Sequence, residues 1–456
     1  MIKRQIATYD QAVEYIMDIP RFTAKNTMED TRAFLHRLGD PDRALRILHV
    51  AGTNGKGSVC AYMRSVLEAA GQRVAVFTSP HLVDVRERFV IEGEMIGEDS
   101  FLEAFLQVYD CLDWNALAAG EGYHPTFFEY LFFMAMLVFA RKNSDYCILE
   151  TGLGGRLDAT NAVARKEIAV ITHIALDHVE YLGHTLGAIA GEKAGIIQEK
   201  VPVIYADSCP ETGDVIRERA HSLSAEAYPV SEIDYRFSKI SNKNIDFSYI
   251  SRYYGSVSLS IPTIARYQME NCSLALRALE VLAGGQQAAD RPSLRLSQEI
   301  LKRGVSACFW PGRMEEVLPE VYLDGAHNED GMRAFLESVA ADGYSGDRHL
   351  LFAVVADKDY PAMLRRIVDS GLFHRLSITY LENKRATAPA EIERELAAYP
   401  QVRAAQYRCV PEALEAILTD RPPHERIYIA GSLYLAGEVK AALHCRKEER
   451  GSYDQF

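Results

Sequence analysis

A chain of 456 residues exceeds what one hydrophobic core usually supports, and 48% hydrophobic with 25% charged residues is an ordinary globular composition, so two domains are expected. A formal net charge of -13 without any basic run argues against a dedicated nucleic-acid binder, because nothing would displace counterions from a phosphate backbone. Eight widely spaced cysteines with no C-x-x-C pair argue against a zinc ribbon or a disulfide framework and fit a reducing compartment, the cytoplasm.

In chain order, the opening "MIKRQIATYDQAVEYI" lacks the apolar core of a signal peptide. Strands are expected at 46–52, 73–79, 145–152, 167–174 and 201–207, each a near-continuous apolar run, with a helix over 58–70 after the first. The greasiest run, 131–140, is too short to cross a bilayer and reads as a buried helix, so no membrane partner is expected. Polar, alternating sequence around 239–258 suggests antiparallel strands, and a helix follows over 265–282. The segments 284–293 and "WPGR" (310–313) break the pattern and suggest a domain border between residues 1–308 and 309–456. Further strands are expected at 320–327, 349–357, 375–382 and 426–432. Apolar strands alternating with helices imply an α/β protein: an N-terminal P-loop domain with a mostly parallel sheet, then a smaller Rossmann-like α/β domain.

The stretch "HVAGTNGKGSVCAYM" (49–63) resembles a phosphate loop in which Lys56 is followed by Gly57 and only then by Ser58. It lies between a strand and an amphipathic helix, so the amides around Thr53, Asn54, Gly55, Lys56, Gly57 and Ser58 would converge on one anion-sized space, with Lys56 on the outer phosphates. An ordinary strand-to-helix turn would leave Lys56 and Ser58 unexplained. A nucleoside triphosphate needs magnesium, and magnesium needs oxygen ligands from neighbouring strand ends. Ser79 in "TSPH", Glu150 in "LETGLGGRLDATN", and Asp177 and His178 in "LDH" all end strands; Lys193 in "GEKAGII" follows soon after. Each has a plain structural alternative, a solvated strand end or a satisfied histidine, and gains weight only from sharing one face.

The motifs "AGTNGKGS", "TSPHL", "FFEY", "ETGLGGRLDATN", "LDH", "GEKAGII", "YQMEN", "WPGR", "LDGAHN", "DKDY" and "GSLYL" occur in this order across nearly the whole chain. Together they resemble the folylpolyglutamate synthase and dihydrofolate synthase family of the Mur ligase superfamily, whose own phosphate loop is spelled G-K-G-[ST]. The resemblance implies an ATP-dependent ligase that joins L-glutamate to a folate or to dihydropteroate through an acyl phosphate. It implies a first magnesium ion on Ser79 and Glu150, and a second on Glu150, His178 and a carbamylated Lys193. It also implies catalytic roles for Lys56, His178 and Lys193, and ATP contacts from Asn271, Arg313, Asp324 and His327. The pterin-bearing substrate would lie near Leu157, Asp158 and Ala159 and, by a looser alignment, near residues 18–21. A monomer is the expectation. Glu329 stands where the family often has Pro, and "AGIIQEK" lacks a frequent Pro-Gly, both beyond the functional residues. Two rival readings are another Mur-type amide ligase, for which too few residues precede the loop to form a precursor-binding domain, and a nucleotide-dependent switch that ligates nothing.

Overall fold

The computed structural model describes residues 3–19, 26–285, 294–382, 385–399 and 404–453. An eight-stranded sheet runs in the order Glu94–Met95, Phe89–Ile91, Val74–Phe77, Tyr146–Glu150, Ile47–Ala51, Ile168–Ile171, Val203–Ala206, Ala227–Val230. The last six are mutually parallel, and the two short edge strands pair antiparallel. Ile47–Ala51 is buried on both faces, as its near-continuous apolar run suggests, with His49 the one polar residue.

The helix Lys56–Ala69 packs against Gln268–Gly285 and Gln298–Ala307 on one side of this sheet. On the other, Phe127–Arg141 is buried along nearly its whole length, and its start is fixed by a capping box between Thr126 and Glu129. The polar segment forms a three-stranded antiparallel sheet, Tyr235–Ser241, Asn244–Ser251 and Gly255–Ile261. Its buried positions alternate along Asn244–Ser251, the pattern of a sheet with one wet face.

A six-stranded sheet follows, ordered Glu315–Leu318, Val321–Leu323, Glu425–Ala430, Asp347–Phe352, Arg375–Thr379, Ala404–Tyr407, parallel except for its first pair. The α/β class expected from the sequence, with a large, mostly parallel sheet first and a smaller α/β unit after it, is what the structure has. Among the described residues, no helix is long and apolar enough to cross a membrane, and the eight cysteines are free.

The register positions the site. Val50 pairs with Glu150 and Ala51 with Ile171, so the carboxyl ends of the three central strands lie level. The chain leaves Ile47–Ala51 toward one side of the sheet and returns on the other, and the crevice at such a switch point is where open α/β sheets bind ligands.

Candidate active site

The phosphate loop follows Ile47–Ala51 and opens the helix Lys56–Ala69. Gly55 caps that helix at φ 92°, and a Cβ there would sit 2.2 Å from Asn271 Oδ1; one on Gly57 would sit 2.6 Å from the Trp310 ring. The extra glycine thus lets Trp310 of "WPGR" close over the loop. The amides of Thr53 and Asn54 are taken by the His173 carbonyl at 2.9 and 3.2 Å. The first-turn amides, Lys56, Gly57 and Ser58, have no partner within their helix, which leaves them able to donate to an anion. Lys56 Nζ folds back on the carbonyls of Gly52 (3.1 Å) and Thr53 (3.2 Å), a posture that a phosphate oxygen would draw outward.

Two cavities share this loop as a wall. One, of about 840 Å³, is lined by the loop, Ser79, Glu150, His178, Lys193 and Leu157 to Ala159, together with Arg313, His327 and Lys358. The other, of about 1300 Å³, is lined by Asn54, Gly55, Ser58, Asn271, Arg313, Asp324 and His327. The metal and substrate candidates therefore gather in the first cavity, the nucleotide candidates of the distal chain line the second, and Arg313 and His327 border both.

Glu150 is buried, and burial raises its carboxyl pKa against the opposing pull of Lys56, the Ser79 amide and Arg313. Its Oε2 accepts a hydrogen bond from the Ser79 N–H at 3.1 Å. His178 caps a short helix at φ 50° and is driven to a pKa of about 4 by burial, with Lys358 and Lys56 adding to the effect, so it is a neutral imidazole at pH 7. Burial and the charge of Lys56 push Lys193 down to about 7. Its neighbour Glu192 pairs with Arg156. Among the described residues no group of three or more His, Cys, Asp or Glu gathers as a ready-made metal cage. Magnesium binds through one or two carboxylates plus substrate phosphates and water, so Ser79 and Glu150 fit it without a cage.

Asp158 turns inward. Its Oδ2 accepts from the amides of Gly152 and Leu153, both at 2.9 Å, and its Oδ1 from Thr160 N and Oγ1. It therefore braces the glycine-rich loop, and exposed Leu157 presents the apolar surface there. Asp324 is likewise committed, accepting from Tyr267 Oη (2.5 Å), Met314 N (3.0 Å) and Ala326 N (2.8 Å). Asp18 is paired at 3.7 Å with Arg4 and does not line either cavity, and Arg21 lies outside the described residues.

Gln268, Asn328, Asp330 and Lys358, to which the sequence assigned no role, join Asn54 and Asp177 in completing the site. Gln268 Nε2 donates to Ser58 Oγ at 3.1 Å and its Oε1 accepts from Asn271 Nδ2 at 3.1 Å, which ties the loop to the helix Gln268–Gly285. The Asn54 side chain faces the second domain, exchanging hydrogen bonds with Asn328 (3.2 and 3.1 Å) and donating to Asp330 (3.0 Å). Asp177 joins them: it accepts from Lys358 Nζ at 2.6 Å and from Asn328 Nδ2 at 3.0 Å. Burial opposes ionisation of Asp177, yet His327 and Lys358 hold its carboxyl well below the usual range. Gln268, Asn328 and Lys358 sit inside "YQMEN", "LDGAHN" and "DKDY", but these pairings reach across as many as 276 positions and no local pattern announces them.

Comparison with known proteins agrees with this geometry. The Mur ligase middle domain model matches residues 50–279, and the Mur ligase, glutamate ligase domain model matches 312–433. A dihydrofolate synthase/folylpolyglutamate synthase of Bacillus subtilis is 32% identical over 442 residues, covering 95% of this chain and 99% of the relative. A folylpolyglutamate synthase of Lacticaseibacillus casei is 31% identical over 442 residues, covering 95% and 98%. Among solved structures, the apo form of L. casei FPGS superposes with a TM-score of 0.82 at 28% identity, over 96% of this chain and 100% of that one. E. coli FolC in complex with DHPP and ADP superposes with a TM-score of 0.82 at 26% identity, over 97% and 99%. With both family models matched and relatives of this identity aligned over nearly their whole length, the chain belongs to the folylpolyglutamate synthase and dihydrofolate synthase family of Mur-type, ATP-dependent ligases.

Proposed function

We propose that this enzyme joins the amino group of L-glutamate to a carboxylate of a folate or of dihydropteroate, using ATP to make an acyl phosphate first. One observation carries the reading: the cavity that holds Lys56, Glu150 and Lys193 continues into an apolar wall of Phe127, Phe128, Leu157 and Tyr181, so a phosphate site and an aromatic-sized site are one space. Complexes of relatives, an FPGS with AMPPCP and folate (29% identical, TM-score 0.82) and E. coli FolC with DHPP and ADP, support it.

The chain's own residues do the following. The amides of Lys56, Gly57 and Ser58 and the Lys56 ammonium hold the outer phosphates and take up charge as the phosphoryl group moves to the substrate carboxylate. Asn271, Arg313, Asp324 and His327 serve the nucleotide, Arg313 directly and Asp324 by holding the linker. Two magnesium ions would be held by Ser79 and Glu150, and by Glu150, His178 and carbamylated Lys193; when bound they would supply charge neutralisation on the phosphoryl oxygens. Arg385, Ser432 and Tyr434 line the same cavity from the second domain and receive the carboxylates of glutamate. Its amine attacks the acyl phosphate, and phosphate leaves from a tetrahedral intermediate. Domain closure completes the site. A monomer in the cytoplasm, with domains divided near residue 308, belongs to the same proposal.

The test is ADP release measured with dihydropteroate and with tetrahydrofolate separately, each with and without glutamate. Release that needs both co-substrates supports the reading, and the active pterin decides between the two activities. Release independent of glutamate would favour the switch.

A further inference from the structure

A glycine-rich loop leaves Glu150 and passes beneath the helix Leu186–Ala194, which carries Lys193. Loop and helix are stitched at one place. The Arg156 amide donates to the Glu192 carbonyl at 2.8 Å. Asn161 Nδ2 donates to the carbonyls of Arg156 and Gly195, both at 3.1 Å, one on the loop and one just past the helix. Its Oδ1 accepts from Lys166 Nζ at 2.5 Å, and that ammonium also donates to the Ile196 carbonyl at 2.7 Å.

Lys166 is 2% exposed, and its two hydrogen-bond acceptors are neutral oxygens. Burying an ammonium among neutral oxygens is costly, and burial accordingly pulls its pKa down to about 7. The location offsets part of this cost, because the Gly195 and Ile196 carbonyls lie at the negative end of the helix Leu186–Ala194. The function described above makes no use of Lys166.

We propose that Asn161 and Lys166 are positioning residues that fix Lys193 relative to Glu150, by pinning the end of the Lys193 helix to the loop that leaves Glu150. The inference rests on the proposed metal-binding role of those two side chains. Ligands carried on separate elements keep a common ion only if the elements cannot slide, and supporting hydrogen bonds of this kind are worth about ten- to a hundredfold in metal affinity.

The test is Lys166→Met, which keeps the volume, removes both donors and leaves no buried charge behind. Hydrogen exchange of the amides over 186–197 should speed up about tenfold, and Mn2+ binding in the presence of AMPPCP, read by electron paramagnetic resonance, should weaken about tenfold or more. Asn161→Ala should reproduce both effects, and the double variant should add little to either single one. If Lys166→Met does not fold, Asn161→Ala decides by the same two readouts. Wild-type exchange and wild-type Mn2+ affinity in a folded variant would overturn the proposal. Neither readout involves folate or glutamate, so a failure here is distinct from a failure of the ligase reading.

Discussion

Replacing Lys193 by Met should stabilise the ligand-free protein while ending ligation. The side chain is 2% exposed, and burial, with Lys56 nearby, lowers its pKa from the ordinary 10.5 to about 7. At about 1.36 kcal/mol per pH unit, that displacement is roughly 5 kcal/mol of stability withheld from the native state. Below pH 7 both states carry the proton and the full penalty applies. Between pH 7 and 10.5 the unfolded chain binds one more proton than the native one, so wild-type stability rises with pH through that window. Lys193→Met lacks this dependence. Its advantage in denaturant unfolding should be several kcal/mol near pH 6 and about 2 kcal/mol near pH 9, in buffer depleted of carbon dioxide so that the amine stays unmodified. A variant less stable than wild type near pH 6, or a difference that does not change with pH, would refute the reasoning.

Lys56→Ala should abolish ligation and change stability by less than about 1 kcal/mol, since its ammonium meets only two loop carbonyls; near-normal turnover would contradict its placement on the phosphates. Arg313→Ala should weaken ATP use strongly, read as KM for ATP and turnover, because this residue borders both cavities; unchanged values would remove the contact. Lys358→Met leaves Asp177 buried against Asn328 Nδ2 and the His178 N–H, a loss of about 3 kcal/mol that falls on the domain interface. Small-angle scattering should then show a larger radius of gyration, and an unchanged profile would argue against a docking role. Gly57→Ala places a methyl 2.6 Å from the Trp310 ring, which should cost about 1–3 kcal/mol and lower Tm; an unaffected Tm would mean that the ring can withdraw.

What the sequence revealed follows from which signals are local. The doubly buried strands were legible because burial on both faces favours a near-continuous apolar run, as in Ile47–Ala51 and Tyr146–Glu150. The strand Ala404–Tyr407 was not, because an exposed or half-buried "AAQY" carries neither a run nor a clean alternation. The hairpin Phe89–Ile91 and Glu94–Met95 is too short for any period to show. The phosphate loop was legible as a strand, a glycine cluster and a helix in sequence. Its surroundings were not: that Gln268 holds Ser58, or that Asn54 turns to Asn328, depends on contacts across 210 and 274 positions. The family resemblance implies that Asp158 lies near the pterin, and only the hydrogen bonds show that its carboxylate also braces its own loop.

The ligase reading stands or falls on activation of the carboxylate as an acyl phosphate in the cavity beside Lys56. The most direct measurement uses a pterin substrate whose reacting carboxylate carries a heavy-oxygen label at both oxygens, turned over with ATP and glutamate, with the released phosphate analysed by mass. Each phosphate formed with amide product should carry one labelled oxygen from that carboxylate. Unlabelled phosphate accompanying amide formation would contradict it.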